Sequence, residues 1–273
     1  MKPLVSILVP TFNRRKFIPQ LLRNFDKQVF PHNEMEIIIV DDGDEPIEDL
    51  LSLSRYYRPN NRNKNRIIYE KLARKLPLGE KRNLLNDMAK GEILISMDDD
   101  DWYSSKYVKT LVRTLKQTDL LICGASRIFA YTHEFNAILR LGPYGPYHTC
   151  NHLIGYKRAY LNNHMYDSST TSGEEESFTN KHTEPLVQIE NSEKIFLLIR
   201  HEGNITDFRT MLDQVGLDYS SNNKKLVKTQ KYEMLTERGI SPVLLTDMSI
   251  KDFIKRKDER MFYRDLFTSK PGK

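Results

Sequence analysis

Apolar positions in the first hundred residues alternate between two spacings. Leu4–Val9 (LVSILV), Met35–Val40 (MEIIIV) and Glu92–Met97 (EILISM) are short runs too apolar to keep a wet face, as strands inside a parallel sheet must be. Between the first two, Phe17, Leu21, Leu22 and Phe25 recur with the spacing of one helical stripe, predicting an amphipathic helix over roughly 14–28. Gly79–Lys90 reads as a helix closed by Gly91 just past its end. Lys106–Gln117 places Val108, Leu111, Val112 and Leu115 on one side of another. A helix near 46–54 and a strand at Arg66–Glu70 complete the alternation. Strand and helix in turn predict a doubly wound, mostly parallel sheet, whose ligands gather outside the carboxyl ends of the strands. Three polar clusters fall at those ends: Pro10-Thr11-Phe12-Asn13, Asp41-Asp42-Gly43 and Asp98-Asp99-Asp100-Asp101.

Beyond residue 120 the pattern loosens. Leu120–Ala125, Arg127–Tyr131 and Lys194–Arg200 read as strands, and 152–161 as a strand leading into a helix. From about 206 the chain reads as helical. The expected organisation is therefore an α/β domain over 1–205 and a helical C-terminal extension over 206–273. The domain divides into halves of about 1–102 and about 103–205, and the three polar clusters all lie in the first.

Composition narrows the classes. A hydrophobic fraction of 39% and a charged fraction of 29% are those of an ordinary globular protein. The net charge of +5 has one clear local source, residues 55–75, where Arg55, Arg58, Arg62, Lys64, Arg66, Lys71, Arg74 and Lys75 face only Glu70. Such a stretch reads first as a solvated loop. RNA, anionic lipid or a phosphorylated substrate are the partners it would otherwise fit. Few aromatics interleave with it, so no nucleic acid is expected. Cys123 and Cys150 form no CxxC pair, no apolar run approaches the length of a membrane span, and Leu4–Val9 is too short for a signal segment. A cytosolic protein, or one recruited to a membrane surface by a partner, is expected.

The chemistry sits in the acidic clusters. Adjacent aspartates at a strand end repel one another unless a cation neutralises them. Residues i and i+2 of an extended segment point the same way, so Asp98 and Asp100 can face one ion. Carboxylates with open positions suit Mn²⁺ or Mg²⁺, the ions that bridge diphosphates. Asp42, before Gly43, could hydrogen-bond a base or ribose, or simply close an Asp-Gly turn. Among Glu174-Glu175-Glu176, crowding by like charge would raise proton affinity toward that of a general base, whereas a solvated helix start is the plainer reading. His201 follows a strand and is a candidate metal ligand or acid/base. Neither G-x-G-x-x-G nor a P-loop is present.

In order and separation these segments resemble family 2 glycosyltransferases of the GT-A fold: VSILVPTFNR at 5–14, IIIVDDG at 37–43, GEKRNLLNDMAKGE at 79–92, ISMDDDDW at 95–102 and GEEESF at 173–178. The resemblance implies that Pro10, Thr11, Phe12, Asn13 and Asp42 hold the nucleotide base, and that Arg82 approaches the nucleotide or its phosphates. It also implies that Asp98 and Asp100 form the D-x-D motif, with Asp98 and Asp99 both on the nucleotide side and Asp98 shared with the metal. Asp100 would be the direct ligand of Mn²⁺ or Mg²⁺, Asp101 would share that role, and His201 would be a further ligand. Glu175 falls where the family places its catalytic acid residue, although Glu174 and Glu176 are not separated from it by sequence.

The implied reaction is sugar transfer from a nucleotide-sugar donor, favouring a UDP-sugar, to a glycan, lipid-linked or protein acceptor, with inversion. A sugar-phosphate nucleotidyltransferase would carry a glycine-containing loop where Pro10–Arg15 stands. A non-catalytic nucleotide-sugar or glycan-binding module would not need the acidic motifs. The segment after 206 is a candidate cover for the acceptor, homo-oligomer contact or docking surface.

Overall fold

The computed structural model describes residues 2–61, 64–201, 212, 216–220, 225–231, 233 and 243–268. Arg62 of the basic stretch and much of the segment expected to be helical after 206 lie outside the described residues. The chain forms two compact units, one of residues 1–125 and 146–191, the other of 126–145 and 192–273. Each unit is thus assembled from two separated pieces of chain.

In the first unit the apolar runs become β1 (Val5–Thr11), β2 (Met35–Asp41), β3 (Ile67–Lys71) and β4 (Ile93–Ser96). They alternate with α1 (Ile18–Asp26), α2 (Glu48–Leu51) and α3 (Leu78–Met88). The short β5 (Trp102–Tyr103), α4 (Tyr107–Lys116), β6 (Ile122–Gly124), β7 (Ile154–Lys157), α5 (Glu175–Phe178) and β8 (Val187–Gln188) follow. The seven-stranded sheet has the order β8-β6-β7-β4-β1-β2-β3. β1 pairs in parallel with both β2 and β4, and β2 with β3. β7 enters antiparallel between β4 and β6.

Both faces of this sheet are covered. Leu8, Ile38, Val40 and Leu94 share a core with Leu85 of α3, with Ala89 just past its end, and with Tyr156 and Phe178. The alternate residues Ile7, Val9, Ile37, Ile39 and Ile95 are completely buried on the opposite side. On that side Leu111 of α4 lies so close to Gly155 that an added Cβ would stand 3.0 Å from its side chain. In α1, Pro19 lies in the first turn, where its missing N–H has no intrahelical partner to lose. The predicted stripe of Phe17, Leu21, Leu22 and Phe25 is buried, and Ile18 joins it.

The second unit holds β9 (Ile128–Thr132), β10 (Ala137–Leu141), β11 (Phe196–Arg200) and β12 (Val243–Leu245). β9 and β10 form an antiparallel hairpin, β11 joins β9 in parallel and β12 joins β10 antiparallel. A two-stranded hairpin of β13 (Leu217–Ser220) and β14 (Lys225–Lys228) stands apart from that sheet. The helices α6 (Ile250–Phe253) and α7 (Lys257–Thr268) close the described chain. Ser249 and Asp252 form a reciprocal cap on α6. The segment after 206, expected to be helical, therefore contains strands as well as helices. Its strands are only three or four residues long, too short to show a period.

The amino end of α3 is docked on a loop. Gly79 N–H donates to the Thr170 carbonyl at 3.0 Å, and an added Cβ would stand 1.9 Å from the Asp167 carbonyl oxygen. Gly79→Ala, a change that favours an ordinary helix by roughly 1 kcal/mol, should here lower Tm. A higher Tm would mean that the 167–170 loop moves aside without loss.

Candidate active site

The carboxyl ends of β1, β2 and β4 bring the three polar clusters together. At the end of β2, Gly43 N–H donates to Asp41 Oδ1 at 2.8 Å, and Tyr69 O–H donates to Asp41 Oδ2 at 2.8 Å. The side chain of Asn13 accepts from Asp44 N–H at 2.7 Å, tying the turn after β2 to the loop after β1. An added Cβ on Gly43 would lie 2.6 Å from Asn13 N, so this approach needs glycine. Asn13 itself has φ 55°, a conformation asparagine tolerates better than most residues. Phe12 is half-buried, with the Lys75 ammonium 4.0 Å from its ring centroid.

Asp42 is buried and both its oxygens are engaged. Leu76 N–H donates to Oδ2 at 2.8 Å, and the Lys81 ammonium donates to Oδ1. Lys81 also donates to the Thr11 carbonyl at 3.1 Å, linking the ends of β1 and β2. Burial pulls the pKa of Lys81 down and the partnership with Asp42 opposes it. The carboxylate that the resemblance assigns to the base is thus held by a lysine that sequence reasoning passed over. Its position in the first turns of α3, three residues after Leu78, was the available signal.

The four aspartates diverge. Thr11 O–H donates to Asp99 Oδ2, while Arg14 Nη1 donates to Asp100 Oδ2 at 2.8 Å. Burial, reinforced by Asp100, pushes Asp99 up to about 8. Asp98 is also raised, chiefly by burial, with Arg82 opposing the rise and Asp100 adding to it. Backbone anchors hold the turn in place. Asn24 of α1 donates to the Asp101 carbonyl at 2.9 Å, and Gln28 donates to the Ser104 carbonyl at 2.9 Å. The buried hydroxyl of Tyr103 accepts from Asp98 N–H at 2.8 Å and donates to the His152 carbonyl at 3.1 Å.

His152 arrives by strand register. β7 runs antiparallel to β4 with Ile95 opposite Gly155, so the residues leading into β7 come up beside those leaving β4. One ligand atom each from Asp98, Asp101 and His152 lies within 4.8 Å of the others. Two carboxylates and an imidazole form a donor set of the kind that holds a divalent metal ion. The structure therefore gathers Asp98 and Asp101 with a histidine absent from the sequence-based set, and sets Asp100 against Arg14. His201 directly follows β11 in the second unit and is half-buried.

Arg82 separates the three glutamates. Its Nε donates to Glu174 Oε1 at 2.5 Å and its Nη2 to Asp98 Oδ1 at 3.4 Å. Burial disfavours its charge, but Glu174 and Asp98 outweigh burial and hold its pKa above the ordinary arginine value. Glu174 is buried and committed to this pair, and Glu176 is exposed. Glu175 is half-buried at the start of α5, where burial and the neighbouring Glu174 push it up to about 7. A carboxyl with that proton affinity can take up and release a proton near neutrality.

Arg82→Met leaves Glu174 buried without its cation. Removing one member of a buried pair costs about 3–5 kcal/mol, and urea unfolding at neutral pH should register a loss of that order. A loss below about 1 kcal/mol, the scale of exposed pairs, would refute a buried, structurally coupled pair.

Residues 6–179 match the family described as Glycosyl transferase family 2. The putative glycosyltransferase EpsH of Bacillus subtilis is 32% identical over 131 residues, covering 48% of this chain and 36% of EpsH. The Staphylococcus aureus poly(ribitol-phosphate) beta-N-acetylglucosaminyltransferase TarS is 32% identical over 105 residues, 38% of this chain and 17% of TarS. The chain thus spans well under two thirds of either relative. A crystal structure of TarS 1–349 in complex with UDP-GlcNAc superposes with a TM-score of 0.54 at 18% identity, covering 97% of this chain and 79% of that one. The mannosyltransferase PcManGT of Pyrobaculum calidifontis, in complex with GDP-Man and Mn²⁺, gives a TM-score of 0.57 at 13% identity, covering 79% and 62%. With the match running through all three strand-end clusters and on to α5, the chain belongs to glycosyl transferase family 2.

Proposed function

We propose that this protein transfers a sugar from a UDP-sugar to an acceptor hydroxyl with inversion, using Glu175 as the general base. The observation that carries this reading is the division of labour between two neighbouring glutamates. Glu174 is spent on Arg82, whereas the proton affinity of Glu175 is raised toward neutrality, and the sequence resemblance assigns the catalytic role to its position.

In this reading Glu175 accepts the proton of the acceptor hydroxyl as that oxygen bonds to the anomeric carbon. The bond from that carbon to the diphosphate oxygen breaks, and its electron pair leaves with UDP. With one base and no enzyme nucleophile, attack from the face opposite the leaving group inverts the configuration. Arg82 keeps positive charge between Glu174 and Asp98. Pro10, Thr11, Phe12, Asn13 and the Lys81–Asp42 pair frame the nucleoside end, with Asp99 fixed by Thr11 beside it. Asp98, Asp101 and His152 are the residues that would hold a divalent ion, in place of the Asp100 and His201 implied by the family motif. Mn²⁺ fits their mixed oxygen and nitrogen donors, and when bound it would supply charge stabilisation to the departing diphosphate.

UDP is chosen as the nucleotide because TarS, which shares this fold, has been captured with UDP and with UDP-GlcNAc. The acceptor is a glycan or phosphate-linked polymer of the kind named for relatives. Both TarS and the Campylobacter jejuni enzyme acting on an undecaprenol-linked oligosaccharide carry such names. Among the described residues no helix is long and apolar enough to cross a membrane.

Isothermal titration of UDP with Mn²⁺ should show binding that EDTA abolishes, and Asp101→Asn and His152→Ala should each weaken it at least tenfold. UDP binding that is equal in EDTA and in both variants would exclude this metal set. UDP-sugar hydrolysis should rise with pH through about 7, because Glu175 works as a base only once deprotonated. Glu175→Gln should reduce the rate by 10²–10⁴-fold, the usual contribution of a general base. Retained anomeric configuration in an NMR product assay would reject the single-base scheme.

A further inference from the structure

Behind Glu175 lies a buried amide–phenol chain that the scheme above leaves unused. Asn151, 3% exposed, precedes His152 in the short turn leading into β7. Its Nδ2 donates to Glu175 Oε2 at 3.3 Å, and its Oδ1 accepts from the Tyr166 hydroxyl at 2.8 Å. Tyr166, 1% exposed, is itself held firmly. Its ring stacks on Phe178 with centroids 4.1 Å apart. Its N–H donates to Asn83 Oδ1 at 2.9 Å, and its carbonyl accepts from Asn83 Nδ2 at 2.8 Å.

The chain has a direction. The two ends of an amide differ, one accepting and one donating. A hydroxyl that donates to the oxygen of Asn151 leaves the N–H end facing the carboxylate. One oxygen of Glu175 is thereby occupied, and among the described residues no side chain donates a hydrogen bond to the other. A base whose orientation is fixed by a further polar group is a recurring catalytic device.

We propose that Asn151, aimed by Tyr166, is a positioning residue for Glu175, holding Oε2 so that Oε1 is the atom that receives the acceptor's proton. This rests on the assignment of Glu175 as base. The amide is a neutral donor among charges of both signs. Glu174 and Asp98 crowd Glu175, Arg82 opposes them, and the Cys150 thiol and Tyr166 phenol are also near. A hydrogen bond to the ionised form favours that form, so Asn151 keeps Glu175 available as a base at neutral pH.

The test is a ¹³C NMR titration of metal-free, glutamate-labelled protein, with Glu175→Gln identifying the signal. Asn151→Ala should move the Glu175 midpoint upward by about one pH unit, the scale of one lost hydrogen bond. Tyr166→Phe keeps the ring on Phe178 and removes only the hydroxyl. It should move the midpoint the same way by less, and it carries the test if Asn151→Ala fails to fold. The pH profile of UDP-sugar hydrolysis should follow the same displacement. Midpoints unmoved in the folded variants would overturn the positioning role while leaving Glu175 as the base. An ordinary carboxylate midpoint for wild-type Glu175, together with full hydrolysis by Glu175→Gln, would remove the base assignment and this proposal with it.

Discussion

Burying several carboxylates at one end of a sheet is unfavourable twice over, through lost hydration and through mutual repulsion. The polar architecture of the first unit answers that problem with fixed cations. Lys81 meets Asp42, Arg82 meets Glu174 and Asp98, and Arg14 meets Asp100. Two of the three cations sit side by side on α3, so the docking of one helix places positive charge against acids from β2, the turn after β4 and the start of α5. The helix cannot shift without uncovering charge in several places at once.

The same pairing sorts chemically similar residues into different tasks. Glu174 and Glu175 are adjacent, yet one is consumed by Arg82 and the other retains a proton affinity near neutral pH. Among the aspartates, Asp99 is bound to Thr11 at the end of β1 and Asp100 to Arg14 of the loop that follows, while Asp98 and Asp101 converge with His152. Environment rather than residue type makes these distinctions. The buried tyrosines contribute by holding backbone and amide groups: Tyr103 fixes Asp98 and His152, and Tyr166 fixes Asn151.

Much of the first unit was legible in the chain itself. Strands β1, β2 and β4 follow their apolar runs closely, and α1, α3 and α4 fall within a few residues of the periodic stripes. The three strand-end clusters meet because a parallel sheet puts like ends of its strands on one rim, which follows from topology alone. Elements whose pattern was weak were harder to read. β10 and β12 are short, half-wet strands, and the charged segment after 206 gave no period that distinguished its strands from helix. Cys123 and Cys150 are both free thiols.

The amino-acid sequence by itself determined the doubly wound class, the order of the acidic clusters and the family, because hydrophobic period and local motif are properties of neighbours in the chain. Only the tertiary structure decided which acid meets which cation. His152 stands more than fifty residues from Asp98 and reaches it because β7 is antiparallel to β4. Arg82 and Glu174 are ninety-two residues apart and meet at 2.5 Å. Charge, hydration and proton affinity depend on distance in space, and that distance is set by strand register and helix docking.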